Sequence, residues 1–137
     1  MTTAAAGERV TGPFEVKLTP EPGGAAGEAG LGRLGIDKAY RGDLEARGVG
    51  EMLASRSAVE GSAGYVAMEK VAGTLRGRRG SFVLQHTGTM DRGVPGLVIT
   101  VVPDSGTEEL TGLAGHMNIV IAAGGHTYEF DYTLPPS

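Results

Sequence analysis

The chain has no cysteine, which excludes a disulfide framework, a thiolate nucleophile and a zinc–thiolate site. It has no apolar run near the roughly 20 residues that a membrane helix requires. Its first ten residues, MTTAAAGERV, lack the basic start and apolar core of a signal peptide. Charge of one dominant sign is also missing. The net charge of -4 gives no basic footprint for nucleic acid or for an anionic membrane surface. The histidines do not fall into HxH or HExxH spacing, so no metal is expected, and neither GxSxG nor a P-loop is present. The expectation is a soluble cytoplasmic protein without cofactor, nucleic-acid partner or membrane.

Glycine is what the chain has in plenty. There are 24 in 137 residues, well over twice the average usage of about 7%. They are scattered between short β-like runs, which suits turns, bulges and barrel corners better than helices. The length fits one domain with a real core. Residues 1–10 are small and polar and read as a disordered tail, leaving 11–137 as the domain.

The longest readable piece is a hairpin from Tyr65 to Met90. Tyr65, Ala67, Glu69 and Val71 alternate with Val66, Met68 and Lys70, and Phe82, Leu84 and His86 alternate with Val83, Gln85 and Thr87. Period two with aromatic and β-branched residues is a strand signal. Arg76 to Gly80 has turn composition, and a type II′ turn with Gly77 first at its centre predicts Val71 opposite Leu84, Glu69 opposite His86 and Tyr65 opposite Met90. A longer loop would put Glu69 and His86 on opposite faces. The first register is preferred because it gathers Tyr65, Val71, Phe82 and Leu84 on one buried face.

Other strands are expected at Pro13–Leu18, at Leu34–Arg41, with Leu34, Ile36, Lys38 and Tyr40 on one face, at Leu97–Val102 and at Leu110–Ala123 with bends at Gly112 and Gly115. Thr19–Gly30 and Asp91–Gly96 read as loops. Leu44–Glu60 reads as a bulged strand, a short helix over Glu51–Val59 being the alternative. Gly124-Gly125 closes a last hairpin with Ile121 opposite Tyr128, Ile119 opposite Phe130 and Met117 opposite Tyr132. The count is about eight strands.

The stretches GSAGYVAMEKVAGTLRGRRGSFVLQHTGTM, VVPDSGTEELTGLAG and GGHTYEFDYTLP resemble the bacterial family known as domain of unknown function 3224. The likeness runs from about Phe14 to Leu134. It implies an all-β fold, an eight-stranded antiparallel β-barrel of the allene-oxide-cyclase-like (calycin-like) type, in a superfamily that also holds plant dirigent proteins. Those relatives handle small apolar molecules, one as a cyclase and one as a guide for radical coupling. The resemblance therefore implies fold more than function. The family loop usually reads SGTG, whereas here Glu108 follows Thr107.

Glu69 and His86 are the candidate catalytic residues: a carboxylate beside an imidazole in an apolar setting is either an acid–base couple or a buried pair that pins register. Tyr65 and Tyr128, on the expected inner face, join them as candidate ligand-binding residues. His116 and His126 do not complete a metal site with His86. Ser105-Gly106-Thr107 reads as a plain turn before an anion-binding nest, and Arg76, Arg78 and Arg79 as a solvated tip. The small inner residues Ala67, Gly73, Gly88 and Gly115 either leave room for a ligand or accommodate the barrel's taper. The expected function is to bind a small apolar or amphipathic molecule. The alternatives are a cofactor-free cyclase or isomerase using the Glu–His pair, and a filled barrel acting through its surface. Val66, Met68, Val83, Val98 and Val102 make an apolar outer face, which predicts a homo-oligomer, most simply a dimer.

Overall fold

Alternation of large apolar with polar residues is carried by eight antiparallel strands that close on themselves. A computed structural model describes residues 7–136. The strands are β1 (Glu8–Pro20), β2 (Gly32–Tyr40), β3 (Leu44–Arg56), β4 (Ala63–Leu75), β5 (Arg78–Asp91), β6 (Val94–Val101), β7 (Ala114–Ala122) and β8 (Gly125–Thr133). Each pairs with its neighbour in sequence, and β1 pairs with β8, so the sheet closes into a barrel, with the β6–β7 seam resting on the pairs Ile99–Met117 and Thr100–His116. A short helix α1 (Gly24–Glu28) lies between β1 and β2, and a 3-10 turn (Glu108–Leu110) between β6 and β7. Among the described residues no helix is long and apolar enough to cross a membrane.

Both hairpin registers differ from expectation by two residues. In the β4–β5 hairpin Val71 lies opposite Phe82, Glu69 opposite Leu84, and Ala67 opposite His86. The turn is Arg76-Gly77, with φ of 48° and 79°. Positive φ at both central residues is the type I′ geometry, which matches the strands' right-handed twist and takes glycine readily at its second position. Arg76 is held in that turn by its N–H, which donates to the Asp43 carbonyl at 2.7 Å, and by its guanidinium on Glu8 at 3.1 Å. The β7–β8 hairpin likewise turns one residue earlier, at Ala123-Gly124. Ile119 then faces Tyr128, Met117 faces Phe130 and Gly115 faces Tyr132. A slip of two leaves every side chain on its expected face, because strand periodicity is two.

Other boundaries move as well. β1 begins at Glu8, so Glu8, Arg9 and Val10, expected in a tail, pair with β8; residues 1–6 of that tail lie outside the described residues. Thr19 and Pro20 belong to β1, and α1 occupies part of the expected loop. β6 starts at Val94 after an Arg92-Gly93 turn, three residues before its expected start. β3 is regular, without a bulge: it pairs residue for residue with β2 and β4. Its glycines serve space. A Cβ on Gly50 would collide with the Met68 backbone, and one on Gly48 with the Glu69 carboxylate.

The segment after β6 plugs one end of the barrel. Leu110 and Leu113, expected in a strand, instead turn inward and are buried with Leu44, Leu75, Phe82, Val101 and Phe130. The Phe82 and Phe130 rings stack there at 5.6 Å. Ser105 and Thr107 strap the plug to β5: the Val83 N–H donates to Ser105 Oγ and the Ser81 N–H to Thr107 Oγ1, each at 3.0 Å. The N–H groups of Ser105 and Thr107 donate to the carbonyls of Val102 and Ser81, so they are not free to cradle an anion. Glu108, where the resemblance implies a loop glycine, has φ of 53°.

Candidate functional site

The inner face of β3 carries Gly48 and Gly50 between β2 and β4. Gly48 pairs with Lys38 on one side, and Gly50 pairs with Glu69 on the other. With no side chains there, the Glu69 carboxylate reaches across β3. Its Oε1 accepts from Lys38 Nζ at 3.1 Å and from His86 Nε2 at 2.9 Å. Its Oε2 accepts from the Tyr40 hydroxyl at 2.5 Å. Glu69 is fully buried, His86 is 2% exposed and Lys38 is 6% exposed. The buried carboxylate therefore has a cation and two further partners, which such burial requires.

Burial is the largest single influence on Glu69 and pushes its pKa up. The His86 bond, the Lys38 charge and the Tyr40 bond together outweigh it, so the carboxyl is held below its ordinary value of 4.5. Burial, reinforced by the Glu69 charge, drives Tyr40 far above its ordinary value. Tyr40 thus stays a neutral O–H donor to an ionised carboxylate.

Lys38 and His86 form the floor of a cavity of about 530 Å³. Its wall is largely apolar, from residues such as Phe14, Ile36, Met52, Leu97 and Ile119, with Tyr65 and His126 on its sides. The cavity opens at the end opposite the Leu110 plug, among Ser55, Ala63, Met90 and Ile121 at the strand ends. The Lys38 ammonium lies over the Phe14 ring at 5.4 Å and the Tyr40 ring at 5.8 Å, where the ring faces offset part of its desolvation.

The expected site residues separate into three groups. Glu69 and His86 meet, diagonally across the β4–β5 ladder, but only His86 lines the cavity. Tyr65 lines it too, at 6.3 Å from the His86 ring. Tyr128 does not. It is fully buried, its hydroxyl donates to the Arg41 carbonyl at 2.8 Å, and it accepts from the Leu44 N–H at 3.1 Å. Tyr128 thus ties β8 to the β2–β3 turn and has no free hydroxyl for a ligand. The small inner residues also leave less room than expected. The Tyr65 ring occupies the space at Gly88, the Ala46 strand that at Gly73, and Tyr132 that at Gly115.

His116 pairs with Asp131 at 3.2 Å on the outer face, and His126 stacks on Phe14 at the rim. Among the described residues no group of three or more His, Asp or Glu side chains could hold a metal ion. Lys38 and Tyr40 are the partners of Glu69 that the sequence analysis does not name among its candidates. The available signal was a lysine on the same strand face as Leu34, Ile36 and Tyr40: a charge in an apolar row asks for a buried partner.

The family model described as "Protein of unknown function (DUF3224)" matches residues 10–132. A similar solved structure is the crystal structure of a protein with unknown function from DUF3224 family, from Shewanella oneidensis MR-1. It has a TM-score of 0.89 and 54% sequence identity, covering 96% of this chain and 100% of that one. No curated protein matches.

Proposed function

This chain belongs to the DUF3224 family, and we propose that its barrel binds a small, mostly apolar or amphipathic molecule. The carrying observation is a cavity of about 530 Å³, closed below by Lys38 and His86 and walled mainly by apolar side chains. A few convergent polar groups at the end of an apolar cavity are the usual description of a ligand site. The same volume weighs against a filled barrel that acts only through its surface. The likeness to barrels of the allene-oxide-cyclase type, drawn from the motifs quoted above, is part of the proposal.

Glu69 acts here as a positioning residue. It lies behind the floor, orients His86 and balances Lys38. If the bound molecule is also transformed, the reading is a cofactor-free cyclase or isomerase in which His86 is the acid–base group that touches it. The hydrogen bond from His86 to an ionised carboxylate is the observation favouring that second reading.

A neutral environment-sensitive dye, N-phenyl-1-naphthylamine, tests the binding reading. The native protein should enhance its fluorescence saturably, and Ala54→Trp, at the cavity wall, should abolish the enhancement without unfolding the barrel. No saturable signal with the native protein, or an equal signal from a folded Ala54→Trp variant, refutes it.

A further inference from the structure

We propose that the polar end of the bound molecule is a neutral carbonyl oxygen, which accepts hydrogen bonds from Lys38 Nζ alone. The proposal rests on the reading that the barrel holds a small apolar molecule, and it names that molecule's head group.

Lys38 has donors to spare. An ammonium carries three N–H groups, and among the described residues Nζ makes one hydrogen bond, to Glu69 Oε1 at 3.1 Å. Its other near neighbours are the faces of Phe14 and Tyr40, at 5.4 and 5.8 Å. Ring faces attract the charge but do not take up an N–H as an oxygen does. The Lys38 side chain is 7% exposed, so its remaining donors are largely cut off from water, and such burial is costly without an acceptor. Glu69 and Tyr40 stand behind Lys38, outside the cavity lining, whereas Lys38, Phe14 and Val16, the residue opposite Lys38 on β1, belong to it. The side left open to the donors is the cavity.

No protein acceptor stands beside them there. His86 gives its Nε2 to the same Glu69 oxygen, so its Nδ1 faces away from Lys38. Around Lys38 the inner wall consists of Val16, Ile36 and Gly48, which offer no polar side chain. Ser55, Tyr65, Thr89 and His126 enter the cavity near the strand ends that form its mouth. The deep end therefore presents donors without acceptors.

That asymmetry selects among head groups. An ammonium would repel Lys38. A carboxylate would set a second anion beside Glu69, whose charge Lys38 already balances one for one. A hydroxyl would accept from Lys38 but leave its own O–H unpaired. A carbonyl oxygen accepts two N–H groups through its two lone pairs and brings neither a charge nor a donor. A ketone on an apolar skeleton fits this chemistry.

The test uses the native protein and four matched probes: 2-acetylnaphthalene, its carbon isostere 2-isopropenylnaphthalene, 1-(2-naphthyl)ethanol and 2-naphthoate, titrated calorimetrically at about pH 8, where an ordinary histidine is neutral. The ketone should bind at least about tenfold tighter than the isostere, the worth of a hydrogen bond to a charged donor, and tighter than the alcohol and the naphthoate. The carbonyl stretch of the bound ketone, followed by infrared difference spectra with a ¹³C label, should fall below its position in hexane. In a folded Lys38→Met/Glu69→Met variant the ketone and its isostere should bind alike, with no such fall. Equal affinity of ketone and isostere in the native protein, tighter binding of the alcohol or the naphthoate, or a ketone preference that persists in the double variant would overturn the head-group assignment while leaving the apolar-ligand reading in place. Binding of none of the four removes both.

Discussion

Gly48 is the residue through which the arrangement around Glu69 can be tested most directly. Its φ is not in the left-handed region, so alanine fits the backbone there and any effect comes from the added methyl. An ideal Cβ on Gly48 meets Glu69 alone among its nearest neighbours, starting with Oε2. That oxygen accepts the Tyr40 hydroxyl at 2.5 Å. Overpacking of this kind costs about 1–3 kcal/mol. Moving the carboxylate leaves the buried Tyr40 hydroxyl unpaired, about 1–3 kcal/mol more. The reduced freedom of the unfolded chain returns about 0.4–1 kcal/mol. Gly48→Ala should therefore lose about 2–4 kcal/mol in urea unfolding, a midpoint lower by roughly 1–2 M for a slope near 2 kcal/mol/M. The control is the same substitution in a Lys38→Met/Glu69→Ala background, where the obstacle is gone and the loss should shrink by at least half. An equal loss in both backgrounds, or none in the native one, would show that Gly48 is not there to admit Glu69.

Lys38→Met alone should cost about 3–5 kcal/mol, because it leaves a buried carboxylate without its counter-ion, and Lys38→Met/Glu69→Met should recover most of that; chemical denaturation of the two variants checks it, and an equally unstable double variant counts against the ion pair. Acid should separate the native protein from the same double variant. Glu69 has a folded-state pKa below its unfolded value, so its ionised form contributes stability above the ordinary 4.5, and that contribution is lost as the pH falls through the folded value. Urea midpoints of the native protein should drop more steeply below that point than those of the double variant, and parallel curves would contradict the sign. Glu108→Gly should stabilise by about 1 kcal/mol, since Glu108 holds a left-handed φ of 53° that glycine adopts without strain; an unchanged midpoint would remove strain as the reason for a glycine there. Across the outer face Leu53, Val66, Thr87 and Val98 pair in one row over β3 to β6, with Val66 and Val98 52% and 61% exposed. A homodimer through this row is proposed, to be checked by sedimentation at micromolar concentration before and after Val66→Glu/Val98→Glu; a native protein that sediments as a monomer refutes it.

The fold was legible because strand faces are written with a period of two. Tyr65, Glu69, Val71, Phe82 and Leu84 read as one face, and all of them point inward. Register was less legible because it depends on where a turn starts. Arg76 takes a left-handed φ that arginine seldom adopts, held by contacts to Glu8 and Asp43 from distant parts of the chain. The plug was misread for a related reason. Leu110 and Leu113 have strand-like neighbours, but the barrel end needed covering, and burial there decided their conformation. Leu44–Glu60 reads from sequence as a bulged strand, since nothing local reveals that a carboxylate from β4 will fill the space that Gly48 and Gly50 leave in a regular one.

The Glu69–His86 contact survived the error in register for a geometric reason. Directly opposite and diagonal partners on one face both lie within reach of long side chains, so a slip of two changed which residues were opposite and left the pair in contact. What the slip did change is the role of the pair. Opposite His86 now lies Ala67, and Glu69, one step deeper beside Leu84, turns toward Gly48 and the lysine beyond it. The carboxylate is thereby drawn behind the cavity floor, and Lys38, in place of Glu69, faces the cavity with His86. On the proposed reading, a molecule in the cavity meets the groups that Glu69 holds, Lys38 and His86, and the carboxylate acts on it only through them.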